Sequence, residues 1–148
     1  MTDAPAIRSH PGDGRAERPG PGAQARLLLR SVLVLLRRDG RSAALQADID
    51  PAEPLLAGHY PARPILPGVC LIECCGRGLR LAAPETFGNA VPVVVEAGQF
   101  RRPVVPGDRL TIDLSWQLEA HEWCVVARFS TDAGHVARLR SRYRTAGE

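Results

Sequence analysis

The clearest pattern in the chain lies in its second half. Leu110, Ile112, Leu114, Trp116 and Leu118 alternate with Thr111, Asp113, Ser115, Gln117 and Glu119. A period of two predicts a strand with one face in a core and the other in water. Before it, the apolar run from Val91 to Val104 predicts a strand ending at Pro106-Gly107, a pair favoured in type II turns. After it, residues 122–130 and 135–144 predict two more strands, joined by a turn at Asp132-Ala133-Gly134.

Upstream, residues 27–36 and 41–49 predict two strands flanking Asp39-Gly40, a two-residue hairpin turn in which glycine accepts positive φ. A helix over 27–36 is also compatible with the apolar run. Residues 50–67 hold five prolines (Pro51, Pro54, Pro61, Pro64 and Pro67), which predicts loop throughout, because proline lacks the N–H that a helix or central strand needs. A helix then opens near Gly68, with Ile72, Cys75, Gly76, Leu79 and Ala83 at helical spacing, and stops at Pro84. Gly76 and Gly78 each cost up to about 1 kcal/mol against alanine in a helix. Their presence predicts close approach by another element, such as a sheet wrapped tightly on this helix. The fold class is therefore α+β, one central helix cradled by an antiparallel sheet.

Length and composition fill in the rest. At 148 residues the chain is one domain by the usual prior, with 45% hydrophobic and 24% charged residues. Residues 1–23, rich in Pro, Gly, Arg and Asp and without apolar period, predict a disordered tail ahead of a folded unit over 24–148. All 19 basic residues are arginine, and the net charge of +3 is too small to argue for nucleic acid. The apolar run at 27–36 is about half the roughly twenty residues needed to span a bilayer and contains Arg30. It also makes a poor signal peptide, deep in the chain with no small-residue cleavage site after it. Cys70, Cys74, Cys75 and Cys124 lack paired C-x-x-C spacing. Cys70 and Cys74, one helical turn apart, permit a metal or redox pair, against the plainer reading of small buried core residues. Reduced thiols and a cytoplasmic address go with the plainer reading, which assigns no metal and no cofactor.

One stretch gathers chemistry. His59 sits in a stiff proline-rich segment, Gly68 brings bare backbone to a helix N-terminus, and Glu73 lies on the helix's second turn. N–H groups at a helix start carry partial positive charge and suit a carbonyl oxygen becoming anionic. A base, a second acid/base group and an oxyanion donor are the parts needed to remove a proton α to a carbonyl. Singly, each residue is as compatible with an ordinary surface role.

The run Gly58-His59-Tyr60-Pro61-Ala62-Arg63-Pro64-Ile65-Leu66-Pro67-Gly68-Val69-Cys70-Leu71-Ile72-Glu73 resembles the G-H-F-P-x-x-P-I-M-P-G-V-L-x-x-E block of the FabZ-type (3R)-hydroxyacyl-[acyl-carrier-protein] dehydratases. Phe100-Arg101-Arg102-Pro103-Val104-Val105-Pro106-Gly107-Asp108 resembles that family's F-R-R-P-V-V-P-G-D block, and the likeness covers about residues 41 to 145. The resemblance implies a hot-dog fold and a dimer, homomeric or heteromeric, in which the histidine of one subunit faces the acid of the other. It implies that His59 removes the α-proton of a 3-hydroxyacyl thioester and that Glu73 protonates the departing hydroxyl. The Gly68 N–H would hold the thioester oxygen, with Val69 beside it at the substrate. The substrate would ride on acyl carrier protein or coenzyme A, in fatty-acid, polyketide or related acyl-chain synthesis.

Two departures stand out. Where the family follows its glutamate with A-x-A-Q, this chain has Cys74-Cys75-Gly76-Arg77. Arg77 is four residues from Glu73, the spacing of a helix ion pair, and would retune the acid for an unusual substrate or lower its activity. The alternative is that Arg77 points elsewhere. The family's N-terminal P-H-R-Y-P-F-L-L-V-D-R segment is replaced by Leu27–Arg38, which suggests a specialised pathway enzyme. Arg138, Arg140, Arg142 and Arg144 alternate along the last predicted strand. They read as a solvated face, or else as a dock for an acidic carrier protein with Arg101 and Arg102. No aromatic residues interleave with them as a nucleic-acid platform would require. The competing functions are a non-catalytic or half-site partner in a heterodimer and another hot-dog thioester enzyme, an enoyl isomerase or a thioesterase.

Overall fold

A computed structural model describes residues 28–59, 65–88 and 90–145, with the side chains of 57–59 outside it. The predicted tail over 1–23 lies outside the described residues. In chain order the elements are β1 (Val34–Arg38), β2 (Ser42–Asp48), α1 (Pro54–His59), α2 (Gly68–Ala82), a 3-10 turn (Glu85–Phe87), β3 (Val91–Phe100), β4 (Arg109–Glu119), β5 (Glu122–Thr131) and β6 (Gly134–Arg144). The six strands form one antiparallel sheet in the order β1-β2-β4-β5-β6-β3.

The alternation of β4 governs the sheet's inner face. Leu110, Ile112, Leu114 and Trp116 are buried, and they meet Ala47, Leu45 and Ala43 of β2 on one side and Phe129, Ala127 and Val125 of β5 on the other. Leu118, near the end of β4, departs from its expected burial at 58% exposed. The inner face closes on α2, which is buried almost all round at Cys70, Leu71, Cys74, Cys75, Arg77, Gly78, Leu79, Leu81 and Ala82. Of the stripe predicted from Ile72, Cys75, Gly76, Leu79 and Ala83, only Cys75 and Leu79 are fully buried, and the buried surface is broader and turned toward Cys70, Cys74, Gly78 and Leu81. A wrapped sheet covers a helix on several sides at once.

The two helix glycines divide. A Cβ placed on Gly78 would lie 3.0 Å from Cδ1 of Leu114 and 3.3 Å from Cδ1 of Leu45, so the sheet does press on the helix there. At Gly76 the nearest atoms, on Arg80 and Tyr143, are both 3.6 Å away, an ordinary contact.

Three turns differ in how sequence dictated them. Pro106-Gly107 forms the expected turn, with Gly107 at φ +89 and Asp108 N–H donating to the Val105 carbonyl at 3.1 Å. Thr131 pairs with Gly134 across Asp132-Ala133. Asp39-Gly40 does not make a two-residue turn. Arg38 pairs with Ala43, leaving four residues between them, and the Asp39 carboxylate accepts the N–H groups of Arg41 (2.8 Å) and Ser42 (2.9 Å). The aspartate side chain, rather than glycine's freedom, closes this loop.

Other expectations are corrected in part. Strand β3 ends at Phe100, because the segment after it turns away through Pro103 and Pro106. The proline-rich stretch is not all loop. Pro54 opens the short helix α1 at its first position, where the missing N–H has no helical partner to lose. The first strand is only Val34–Arg38, since the amides of residues 28–31 are engaged elsewhere.

Replacing Gly76 with alanine is expected to raise stability by up to about 1 kcal/mol, the helix-propensity gain. Gly78→Ala is expected to lower it by about 1 kcal/mol or more, since overpacking against Leu45 and Leu114 exceeds that gain. Urea unfolding of both variants beside the parent checks the opposite signs.

Candidate active site

Glu73 lies on the second turn of α2, on the helix's least enclosed flank, with its side chain 19% exposed. Its two oxygens are already engaged. Oε2 accepts the Leu28 N–H at 2.9 Å and Oε1 accepts the Leu29 N–H at 3.1 Å. Arg77 lies one turn on with its Nη1 3.8 Å from Glu73 Oε1. Arg77 is buried at 5% exposed, and it does point partly elsewhere, as the alternative to a simple helix ion pair had it. Two of its short contacts go to backbone carbonyls. Nη1 donates to the Leu29 carbonyl and Nη2 to the Ser31 carbonyl, each at 2.8 Å.

Sequence reasoning missed a further carboxylate. Glu53, at 3% exposed, accepts the Arg30 N–H at 2.8 Å and also the Ser31 N–H and Ser31 Oγ–H. Ser31 Oγ in turn accepts the Asp50 N–H at 3.2 Å. A signal existed, since Glu53 directly precedes the proline that opens α1. Its partners, however, are two backbone N–H groups and one serine hydroxyl 22 and 23 residues away, too few side chains to make a pattern.

The two sequence blocks meet in space. The Leu66 N–H donates to the Val104 carbonyl at 2.8 Å, and the Phe100 ring lies 3.1 Å from where a Gly68 Cβ would be. Glycine at the head of α2 thus lets an aromatic ring lie against bare backbone. The Cys70 N–H already donates to the Pro67 carbonyl at 3.0 Å, whereas the Gly68 and Val69 N–H groups ahead of it have no preceding helical carbonyl and are suited to an acyl oxygen. Val69 is 52% exposed beside them. His59 ends α1, and its side chain, like residues 60–64, lies outside the described residues.

Beyond the site, β3 forms one edge of the sheet, and every residue of it is exposed. Val91, Val93, Val94 and Val95 are 40–48% exposed and Phe100 55%. An uncovered apolar edge of this length is a template for pairing with another chain.

The arginine row on β6 splits in two. Arg142 pairs with Glu96 and Glu122, and Arg144 with Glu122. Arg138 stands directly across from Arg128 of β5, and among the described residues neither Arg138 nor Arg140 makes an ion pair. Arg101 and Arg102 are exposed after β3, the Arg102 guanidinium lying over Gly134.

Cys70, Cys74 and Cys75 are core residues, and no group of metal-ligating side chains occurs among the described residues. Burial pushes the thiols of Cys70 and Cys75 up to about 11. Among the described residues no helix is long and apolar enough to cross a membrane.

The sheet wrapped on a buried helix is the hot-dog arrangement. The family model described as ApeI-like, ApeI dehydratase, matches residues 36–139. The chain belongs to that dehydratase family. Among curated relatives, the 3-hydroxyacyl-[acyl-carrier-protein] dehydratase FabZ of Symbiobacterium thermophilum is 38% identical over 93 residues, 60% of this chain and 63% of that one. The FabZ of Anaeromyxobacter sp. is 39% identical over 69 residues, 42% of this chain and 44% of that one. The chain thus spans between about half and just under two thirds of these relatives' lengths. Among solved structures, the dehydratase heterocomplex ApeI:P of Xenorhabdus doucetiae superposes with a TM-score of 0.63 at 22% identity, covering 71% of this chain and 88% of that one. The smu.793 protein of Streptococcus mutans, bound to acetyl CoA, gives 0.62 at 14%, covering 77% and 88%.

With thiols held this high, thiolate is about a thousandth of Cys70 and Cys75 at pH 8. Alkylation of the native protein at that pH is expected to modify Cys124 alone, and all four cysteines after denaturation. Mass mapping of the labelled peptides checks this, and rapid native labelling of Cys70 or Cys75 would contradict it.

Proposed function

We propose that the chain dehydrates 3-hydroxyacyl thioesters to trans-2-enoyl thioesters. The observation that carries this reading is the G-H-x-P…P-G-V…E block, laid across the end of α1 and the start of α2 in a chain of the dehydratase family. Dehydration breaks a C2–H and a C3–O bond and forms C2=C3. The electron pair left on C2 makes the alkene, the hydroxyl leaves as water, and neither an oxidant nor a reductant is consumed. A cofactor is not required.

In this reading His59 takes the C2 proton, and the thioester oxygen accepts from the Gly68 N–H as negative charge builds on it. Glu73 gives a proton to the departing hydroxyl. Donors occupy the lone pairs of Glu73 that face residues 28 and 29, so its acidic proton belongs on the lone pairs facing away from them. Val69 lies beside the acyl chain, and Arg77 acts on Glu73 from one helical turn away. The thioester arrives on acyl carrier protein or coenzyme A, in fatty-acid, polyketide or related synthesis in the cytoplasm. Arg138 and Arg140, with Arg101 and Arg102, offer charge to an acidic carrier.

The active sites form between subunits, with a second copy adding its β3 to the exposed β3 edge and bringing its His59 to Glu73. A heterodimer is the second reading, favoured by the likeness to the dehydratase heterocomplex ApeI:P.

Incubation with a 3-hydroxyacyl carrier-protein thioester is expected to give a product lighter by one water in intact mass. His59→Ala and Glu73→Gln are each expected to lower the rate about 10²–10⁴-fold. An inactive parent would overturn the reading in favour of a partner subunit. Placing two like charges on the β3 edge, Val93→Glu with Val95→Glu, is expected to yield a folded monomer with no activity. Light scattering during gel filtration reads the mass, and an active monomer would contradict the interfacial site.

A further inference from the structure

Residues 28–31 form a strap with no secondary structure, yet it is bonded at every residue. Its four successive N–H groups all point to carboxylates: those of Leu28 and Leu29 to Glu73, those of Arg30 and Ser31 to Glu53. Two of its carbonyls, at Leu29 and Ser31, accept from the two arms of the Arg77 guanidinium. The side chain of Leu29 is fully buried between these contacts. The strap is therefore clamped to α2 through Glu73 and Arg77, and through Glu53 to the chain just ahead of α1.

We propose that Glu53 and Arg77 are positioning residues for Glu73: they hold the 28–31 strap, and the strap's two N–H groups fix both oxygens of the Glu73 carboxylate. This rests on the reading of Glu73 as the acid of the dehydration. A glutamate side chain has three rotatable bonds, and a 1 Å misplacement of a reacting group is enough to cost about 10²-fold in rate. Two N–H donors, one to each oxygen, remove most of that freedom. They do so only if the strap is itself fixed. Glu53 supplies that fixity from one side, since it holds the next two amides in sequence. Arg77 supplies it from the other, because a planar guanidinium with donors in a fixed fork can bridge carbonyls two residues apart. In this arrangement Arg77 acts mainly on the strap, and its 3.8 Å approach to Glu73 is secondary.

The test uses the full chain with Arg77→Gln, Arg77→Lys and Glu53→Gln, each first shown by circular dichroism and gel filtration to be folded. Hydrogen exchange at the Leu28 and Leu29 amides reads the strap, and steady-state kinetics on a 3-hydroxyacyl thioester reads its consequence. Arg77→Gln and Glu53→Gln are expected to speed exchange at both amides about tenfold or more. Both are expected to lower kcat about tenfold with KM changed less than about twofold, the mark of an interaction made in the transition state. Arg77→Lys, which keeps a donor, is expected to recover part of both losses. Unchanged exchange in Arg77→Gln and Glu53→Gln, or faster exchange with kcat intact, would overturn the proposal. A parent protein with no dehydratase activity would instead sink the functional reading, and the strap's catalytic role with it.

Discussion

Everything in this molecule turns on enclosing one helix. Helix α2 is covered on nearly every side by the inner face of the sheet, closely enough that a single Cβ on Gly78 would press on Leu45 and Leu114. Such a helix has room for small and apolar residues, which accounts for its buried cysteines and for Gly78. It has little room for charge. Burying an ionised group without partners costs several kcal/mol, yet α2 carries Glu73 and Arg77 one turn apart. Where they sit is therefore where the enclosure has to be resolved by something other than sheet.

The strap of residues 28–31 resolves it. Leaving an extended chain unpaired in the sheet frees its N–H and carbonyl groups to meet the charges of α2 and the buried Glu53. Donors meet carboxylates, carbonyls meet the guanidinium, and charge-assisted bonds of this kind are roughly twice as strong as neutral ones. The same contacts explain why β1 begins only at Val34. They also hold both oxygens of Glu73 while its side chain stays 19% exposed. The apolar side chains of the β3 edge stay exposed among the described residues.

The periodic part of this architecture was legible in the sequence. Period-two alternation in β4, the Pro106-Gly107 turn and the glycine at 78 each express a local rule, and local rules survive folding. The candidate site was legible only as a run of residues at family spacing, since His59, Gly68 and Glu73 taken singly have common surface roles. What escaped was non-local. Glu53 gave no signal, and the apolar run at 27–36, compatible with strand or helix, did not show that residues 28–31 form neither, because carboxylate-to-amide bonds across 22 to 45 residues leave no pattern in side chains. The turn at Asp39 was misassigned for a related reason: aspartate there accepts two backbone N–H groups itself, so the adjacent glycine was not the residue that mattered.

The central claim is that Glu73, held on the enclosed helix, works with a histidine brought by another copy of the chain. Co-expressing His59→Ala with Glu73→Gln tests it most directly, because each variant alone lacks one half of every site. If the pair meets across the interface, mixed dimers contain one intact site, and random pairing should restore about a quarter of parental activity. Co-expressed variants that form mixed dimers but stay as inactive as either parent variant would contradict the account.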